Sequence, residues 1–162
     1  MFDKPESALG TFSDEMVEAL RQLGWREPDR STIERCIREL EARGFHVNEV
    51  AQAAIEQFAG LEFTFPEGGV PWVRFDLTEP RHTFIVDHLS NLTELLEEEA
   101  CPIGGGGGYI ILICPSGRAA VLHEQWSFLL SANSLATILE AVAFGNRANC
   151  HEYPDVESHR PM

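Results

Sequence analysis

The sequence predicts an α+β domain with a mainly antiparallel sheet and flanking helices. Amphipathic helical patterns fill its first third, apolar runs typical of strands fill its middle, and a further helix precedes a polar end. Strands and helices do not alternate regularly, as they would in a parallel β-α-β fold. The 162 residues suit one domain, and we expect helices to cover one face of the sheet.

Three helices, each ended by a glycine, are predicted in the first third. The first spans residues 13–23, with Ser13 as its cap, acidic residues in its first turn and Gly24 as its end. The third spans residues 48–59 and ends at Gly60. Glycine adopts the left-handed conformation that terminates helices at little steric cost, so these boundaries are well marked.

The second helix carries two signals of its own. Ser31 and Glu34 have the S-x-x-E spacing of a capping box, in which two side chains satisfy free backbone N–H groups at the helix start. Gly44 supplies the left-handed stop. An apolar stripe follows the spacing i, i+3, i+4, i+7 and consists of Ile33, Cys36, Ile37 and Leu40. That stripe predicts one buried face.

A period of two replaces the helical pattern after Gly60. Apolar and polar residues alternate over 61–65, and a Pro-Glu-Gly-Gly turn leads to a second strand over 72–77. Together these segments predict a hairpin. Further strands are predicted over 83–86, 109–114, 118–122 and 126–130.

Two more helices complete the prediction. Leucines at helical spacing predict one over 89–96, and a second spans 134–144 before Gly145. The chain then divides into an N-terminal extension, one domain and a polar C-terminal tail, at residues 1–12, 13–145 and 146–162. We expect the tail to be loosely held.

The charge of the chain disfavours two classes of partner. Twelve basic residues against 26 acidic ones give a net charge of −14, which argues against binding nucleic acid or an anionic membrane. A secretory signal and an 18-residue apolar run are both missing from the sequence. We therefore expect a cytoplasmic protein, in which Cys36 and Cys114 are buried thiols and not parts of a disulfide framework.

Five consecutive glycines, 104–108, do not form a phosphate loop. That motif needs a lysine and a helix directly after it, whereas Tyr109 and an apolar strand follow here. A flexible loop before a central strand is the expected structure.

Metal and catalytic motifs are equally weak. The six histidines show no H-E-x-x-H spacing, and no G-x-S-x-G nucleophile motif occurs. We assign no catalytic, cofactor-binding or metal-binding residue. Clustered acids such as Glu97, Glu98 and Glu99 are usually a solvated face, although they can also dock a basic partner.

Three short motifs follow one another along the chain: Leu20-Arg21-Gln22-Leu23-Gly24-Trp25 with Arg30, Phe58-Ala59-Gly60-Leu61, and Cys101-Pro102-Ile103-Gly104. They resemble the L-R-x-x-G-W-x-P-x-R opening, the F-G-G-L segment and the Y-P-I-G segment of the third group of the SUKH superfamily of bacterial immunity proteins. The resemblance covers residues 14–145. It implies a twisted antiparallel sheet with flanking helices, and an antitoxin without cofactor that blocks a polymorphic toxin domain, often a nuclease or deaminase.

The resemblance has two departures and implies structural roles. Cys101 stands where the family usually has tyrosine, and the glycine run is longer than expected. Matching positions that we expect to preserve the fold are Gly24, Trp25, Arg30, Gly60, Pro102, Ile103 and Gly104. Among them we expect Trp25 in the core and Arg30 paired with a buried acid or carbonyl.

An acidic inhibitor suits a basic toxin cleft, because opposite charge accelerates association. The candidate contacts are Trp72, Asp76, Glu79, Glu94, Glu97, Glu98, Glu99 and Trp126. For both tryptophans, core packing is the alternative. Two other functions stay open: an adaptor that binds an endogenous protein, and a small hydrolase using His123 or His82 beside a nucleophile.

Overall fold

A computed structural model describes residues 8–63, 73–75, 89–106 and 108–160 of the chain. These residues form an α+β fold in which helices flank an antiparallel sheet, so the predicted fold class is confirmed. The helices are α1 (Asp14–Gln22), α2 (Arg30–Ala42), α3 (Glu49–Phe58), α4 (Leu89–Leu96) and α5 (Leu135–Phe144). None of the described helices is long and apolar enough to cross a bilayer.

The described strands form one sheet in which every neighbour along the chain is also the neighbour in space. They are β1 (Glu62–Phe63), β2 (Val73–Arg74), β3 (Cys101–Gly106), β4 (Tyr109–Ile113), β5 (Ala119–His123), β6 (Leu129–Ala132) and β7 (His151–Glu152). All pairs are antiparallel. The strand predicted over 83–86 lies outside the described residues.

The start of α2 differs from the prediction. Asp29, not Ser31, is the cap, and its carboxylate accepts a hydrogen bond from the Thr32 backbone N–H at 2.8 Å. That bond, with one from the Ser31 hydroxyl at 2.8 Å, lowers the pKa of Asp29. The capping-box prediction was wrong because two cap residues stand two positions apart, and the aspartate takes the role.

The glycine run is a strand and not a loop up to Gly106. Gly104 and Gly105 are buried in β3, which has a register shift between Pro102 and Gly104. A Cβ on Gly104 would collide with the Arg74 carbonyl oxygen, and one on Gly105 with the Tyr109 carbonyl oxygen. The expectation of a flexible loop was wrong. Because these glycines have no side chain, the neighbouring strands approach their backbone more closely than any other residue would permit.

Both faces of the sheet are covered, where we had expected helices on one. In β4, Ile111 and Ile113 pack with α1, α2, α3 and α5, which we call the helical layer. Ile110 and Leu112 face the other way and pack with α4 and with Val156. We call α4 and residues 146–160 the thin layer. The uninterrupted apolar run of β4 is the pattern that a strand buried on both faces produces.

Residues 146–160 are part of the fold, contrary to the expected loose tail. They add β7 to the sheet edge and a 3-10 helix at Val156–His159, whose Val156 is 4% exposed. The Asn91 amide of α4 donates to the His159 carbonyl oxygen at 2.9 Å. A polar composition concealed a few apolar and hydrogen-bonding anchors that fix this segment.

Candidate partner-binding surface

Three of the predicted contact residues, Trp72, Asp76 and Glu79, lie outside the described residues. Trp126 is described and belongs to the core, with an exposure of 0%. It occupies the connection between β5 and β6 with a positive φ of 59°, and its backbone N–H donates to the His123 carbonyl oxygen at 2.8 Å. The strand predicted over 126–130 begins only at Leu129, and an enclosed indole cannot contact a partner.

Glu98 is committed to holding the turn between β4 and β5. Its carboxylate accepts hydrogen bonds from the Ser116 backbone N–H at 3.1 Å and the Ser116 hydroxyl at 2.7 Å. It also forms an ion pair with Arg118 at 3.3 Å. Burial and the nearby Glu98 charge raise the pKa of Cys114 to about 11. Glu98 therefore serves the fold and is not a free contact group.

Arg118 extends this contact into a network that ties α4 to the C-terminal segment. Its guanidinium donates to the Leu96 carbonyl oxygen at 2.8 Å and to the Tyr153 hydroxyl at 2.7 Å. The Tyr153 hydroxyl lies 3.2 Å from the hydroxyl of Ser131 in β6. Side chains far apart in the sequence thus hold the thin layer on the sheet.

The remaining predicted glutamates are exposed on the thin layer, at Glu94, Glu97 and Glu99. The C-terminal segment of the same layer adds further exposed carboxylates at Glu152, Asp155 and Glu157. Glu97 has a φ of 62° at the end of α4, a conformation that normally selects glycine. This surface can attract a basic partner through its charge.

The family-motif residues divide between fold and surface. The indole N–H of half-buried Trp25 donates to the Gln57 carbonyl oxygen at 3.0 Å, which fixes the α1–α2 connection to α3. Gly24 and Gly60 are left-handed. Arg30 differs from the expectation: its side chain is 92% exposed and pairs with Glu34 at 3.0 Å. It lies one turn before Glu34 at the exposed start of α2, and none of the described acidic residues is buried.

A groove between α2 and α3 is a surface that the sequence did not reveal. Its floor is apolar, formed by the half-buried side chains of Ile33, Ile37 and Ala53. Its volume is about 710 Å³, buried Gln57 lies at its base, and the other lining residues are Glu27, Pro28, Arg30, Glu34, Gln52 and Glu56. The predicted α2 stripe is buried only at Cys36 and Leu40. The other half of the stripe, Ile33 and Ile37, is therefore only partly covered, which is visible only once the packing is known.

Gln57 is the unusual polar residue of this groove. Three polar residues are buried among those described, and two have partners: Asn48 donates to the Ile113 carbonyl oxygen at 3.4 Å, and Ser131 contacts Tyr153. Gln57 is 8% exposed, and its Nε2 group has no acceptor in the described structure. Buried donors without acceptors are rare in native proteins and call for an explanation.

Neither histidine of the hydrolase hypothesis acquires a nucleophile from the described contacts. His82 lies outside the described residues. His123 accepts a hydrogen bond at Nδ1 from the Gln125 backbone N–H at 3.1 Å and packs edge-on against Tyr109. Within the described part of the chain, no group of three or more His, Cys, Asp or Glu side chains is arranged to hold a metal ion.

Comparison with known protein families gives a match to this chain. Residues 12–142 match the family model described as SUKH-3 immunity protein. No curated protein and no solved structure matched the chain. The family match covers α1 to most of α5 and therefore includes both the groove and the exposed glutamates of α4.

Proposed function

The chain belongs to the SUKH-3 immunity protein family, and from that premise we propose that it binds one cognate polymorphic toxin domain in the cytoplasm and blocks the toxin's active site. Family membership indicates an immunity protein, for which binding and not catalysis is the expected activity. The observation that carries the proposal is the match over residues 12–142, most of the chain. The proposed toxin is a basic nuclease or deaminase domain.

The charge of the protein supports a basic toxin. A net charge of −14 on 162 residues repels itself and is therefore costly to the compact state. An acidic inhibitor gains association rate toward a basic cleft, and the gain falls as salt screens the charges. The exposed carboxylates of the thin layer, including Glu94, Glu97 and Glu99, contribute to this attraction.

The experiment that tests the function is capture followed by inhibition. The tagged full chain is incubated with lysate that includes the secreted fraction of neighbouring cells, and bound proteins are identified by mass spectrometry. The identified toxin domain is then purified, and its activity is titrated with the immunity protein. We expect activity to fall to background at a 1:1 ratio.

Two outcomes would contradict the proposal. A toxin domain that binds but keeps full activity would exclude neutralisation by covering the active site. Capture of household cytoplasmic proteins alone, in cells without a toxin gene, would support the adaptor function. As a control, a variant that does not fold separates specific capture from adhesion to an acidic chain.

A further inference from the structure

The apolar floor of the α2–α3 groove is a helix face that the fold covers only in part. Ile33 and Ile37 lie on one side of α2, four residues apart, and Ala53 faces them from α3. All three are half-buried, although the rest of the α2 stripe is buried. Apolar grooves between two helices are surfaces onto which an amphipathic helix can pack its apolar side.

The base of the groove also contains an unsatisfied hydrogen-bond donor. The Gln57 Nε2 group is buried without an acceptor, although the Gln57 backbone oxygen is used by Trp25. Leaving a buried amide unpaired is unfavourable. The last side-chain torsion of glutamine is broad, so the amide can turn toward an acceptor that a bound partner brings.

Exposed carboxylates border the groove on both sides. Glu27 and Glu34 lie on the α2 side and Glu56 on the α3 side, against a single basic residue, Arg30, which is paired with Glu34. The border is therefore net acidic. A partner that buries apolar side chains here gains further attraction if its flanking side chains are Lys or Arg.

We propose that a basic amphipathic helix of the toxin domain docks in the α2–α3 groove. The lining residues of α2 run from Arg30 to Ile37, a rise of about 10 Å, or about two helical turns. The helix would place apolar side chains on Ile33, Ile37 and Ala53, and an acceptor at Gln57. The identification of the partner as a toxin rests on the proposed function. The prediction that a basic amphipathic helix binds here rests only on the residues of the groove.

The first test uses a synthetic probe, so it does not depend on finding the toxin. The probe is an 18-residue peptide of leucine and lysine with the leucines on one helical face, titrated into the isotope-labelled full chain by NMR. A scrambled peptide of equal composition and charge is the control. We expect the amphipathic peptide to shift the amides of Ile33, Ile37 and Ala53. Shifts concentrated on α4, or equal shifts with the scrambled peptide, would overturn the proposal.

Ala53→Arg blocks the groove with a long cationic side chain while leaving the fully buried core unchanged. Its matched control is Ala42→Arg, which places the same charge on the exposed last residue of α2. We expect A53R to weaken the affinity for the amphipathic peptide by about 10-fold or more, and A42R by less than about 2-fold. Residues buried at the centre of a contact contribute most to its affinity. Equal effects would show that charge alone is measured.

Gln57→Met separates a binding role from a structural one. Methionine has a similar shape and no donor, so it removes the unpaired amide from the free protein. We expect a higher melting temperature together with about 5-fold to 10-fold weaker binding of a captured toxin domain. A higher melting temperature with unchanged toxin affinity would remove Gln57 from the contact.

Equal charge changes on the two surfaces locate the toxin. Two triple variants each remove three negative charges. The groove variant changes Glu27, Glu34 and Glu56 to Gln, and the α4 variant changes Glu94, Glu97 and Glu99 to Gln. We expect the groove variant to slow toxin association more strongly, since charges beyond about 10 Å are screened at 0.1 M salt. A larger effect from the α4 variant would overturn docking in the groove.

The outcomes distinguish the two proposals. Normal neutralisation of a captured toxin by A53R would leave the proposed function intact and exclude the groove as its docking site. Peptide binding in the groove by a chain that neutralises no toxin would remove the proposed function and keep the groove as a site for basic amphipathic helices.

Discussion

The helical layer and the thin layer differ in which residues adopt the left-handed conformation. Left-handed residues after the helices of the helical layer are all glycines, at Gly24, Gly44, Gly60 and Gly145. In the thin layer and the connection that packs with it, the same conformation falls on side-chain residues: Glu97, Trp126 and Asp155. A non-glycine residue there costs roughly 1–2 kcal/mol. In the thin layer, non-glycine residues therefore occupy positions where glycine would have a lower conformational free energy.

The two layers also differ in what holds them to the sheet. The helical layer buries a continuous apolar cluster against one sheet face. The thin layer buries a smaller cluster around Leu92, Leu96 and Trp126 and adds the polar network of Glu98, Arg118 and Tyr153. Where little apolar surface is available, directed hydrogen bonds position the segment. The thin layer should consequently open first, since local stability follows buried apolar contact.

Both layers depend on the close backbone approach at β3, so Gly105→Ala should have the largest effect. The added Cβ would collide with the Tyr109 carbonyl oxygen and lie 3.3 Å from the Ile110 Cα. We expect the free energy of unfolding to fall by about 3 kcal/mol or more, measured by urea denaturation. Gly108→Ala is the matched control: its Cβ meets only His123 at 3.6 Å, but φ is +88°, so about 1 kcal/mol is expected. Equal losses would refute the steric explanation.

One variant in each layer tests whether the layers open separately. Asn48→Ala removes the α3 cap, whose side chain accepts from the Ala51 N–H at 2.8 Å, and Arg118→Met removes the links from Leu96 to Tyr153. Each should cost about 2 kcal/mol. Hydrogen exchange should accelerate in α2 and α3 for N48A and in α4 and residues 151–159 for R118M. The same exchange pattern in both variants would show that the layers unfold as one unit.

Glu97→Gly should stabilise the thin layer, which is the opposite sign to most substitutions. Glycine relieves the left-handed conformation at φ 62° and should raise the free energy of unfolding by about 1 kcal/mol. Gly145→Ala, at φ 72° after α5, is the reverse control and should lower it by a similar amount. Thermal unfolding of both variants measures the pair. A destabilised E97G would mean that the Glu97 side chain itself makes a stabilising contact.

The reactivity of the cysteine thiols measures how well each layer is buried, and their ionisation does not affect stability near neutral pH. Burial raises the pKa of Cys101 to about 12 and that of Cys114 to about 11, so both stay as unreactive thiols at pH 8. Partly exposed Cys150 should react first with a thiol reagent, followed by the others only on unfolding. Because these pKa values are raised in the folded state, stability should fall as pH rises from about 9 toward 11. Rapid labelling of Cys101 in the native protein would contradict this burial.

The helices were predicted well because their signals are local. Helix caps and apolar spacing predicted α1, α3, α4 and α5 to within a few residues, and the glycines at the helix ends, Gly24, Gly44, Gly60 and Gly145, are left-handed. The predicted buried thiols Cys36 and Cys114 are buried. Each of these features is decided within one or two turns of chain, where propensity and capping act.

The candidate surface could not be predicted in the same way, because exposure depends on distant contacts. Glu97, Glu98 and Glu99 look alike in the sequence, yet Ser116 and Arg118 take Glu98 alone. Trp126 is of a residue type that often anchors interfaces, but in the structure α4 and the C-terminal segment enclose it. Burial of one residue is set by chain that lies tens of positions away.

The sequence by itself determined the class of fold, the helices and their stops, the excess of acid and the family. Tertiary structure decided the rest: that glycines 104–106 form a strand, that residues 146–160 close the second face, and that Ile33 and Ile37 face a groove. The physical reason is range. Backbone propensity depends on neighbouring residues, and net charge is a sum over the whole sequence, so both can be read without a structure. Whether a side chain is exposed depends on contacts with residues distant in the sequence, which only the folded structure defines.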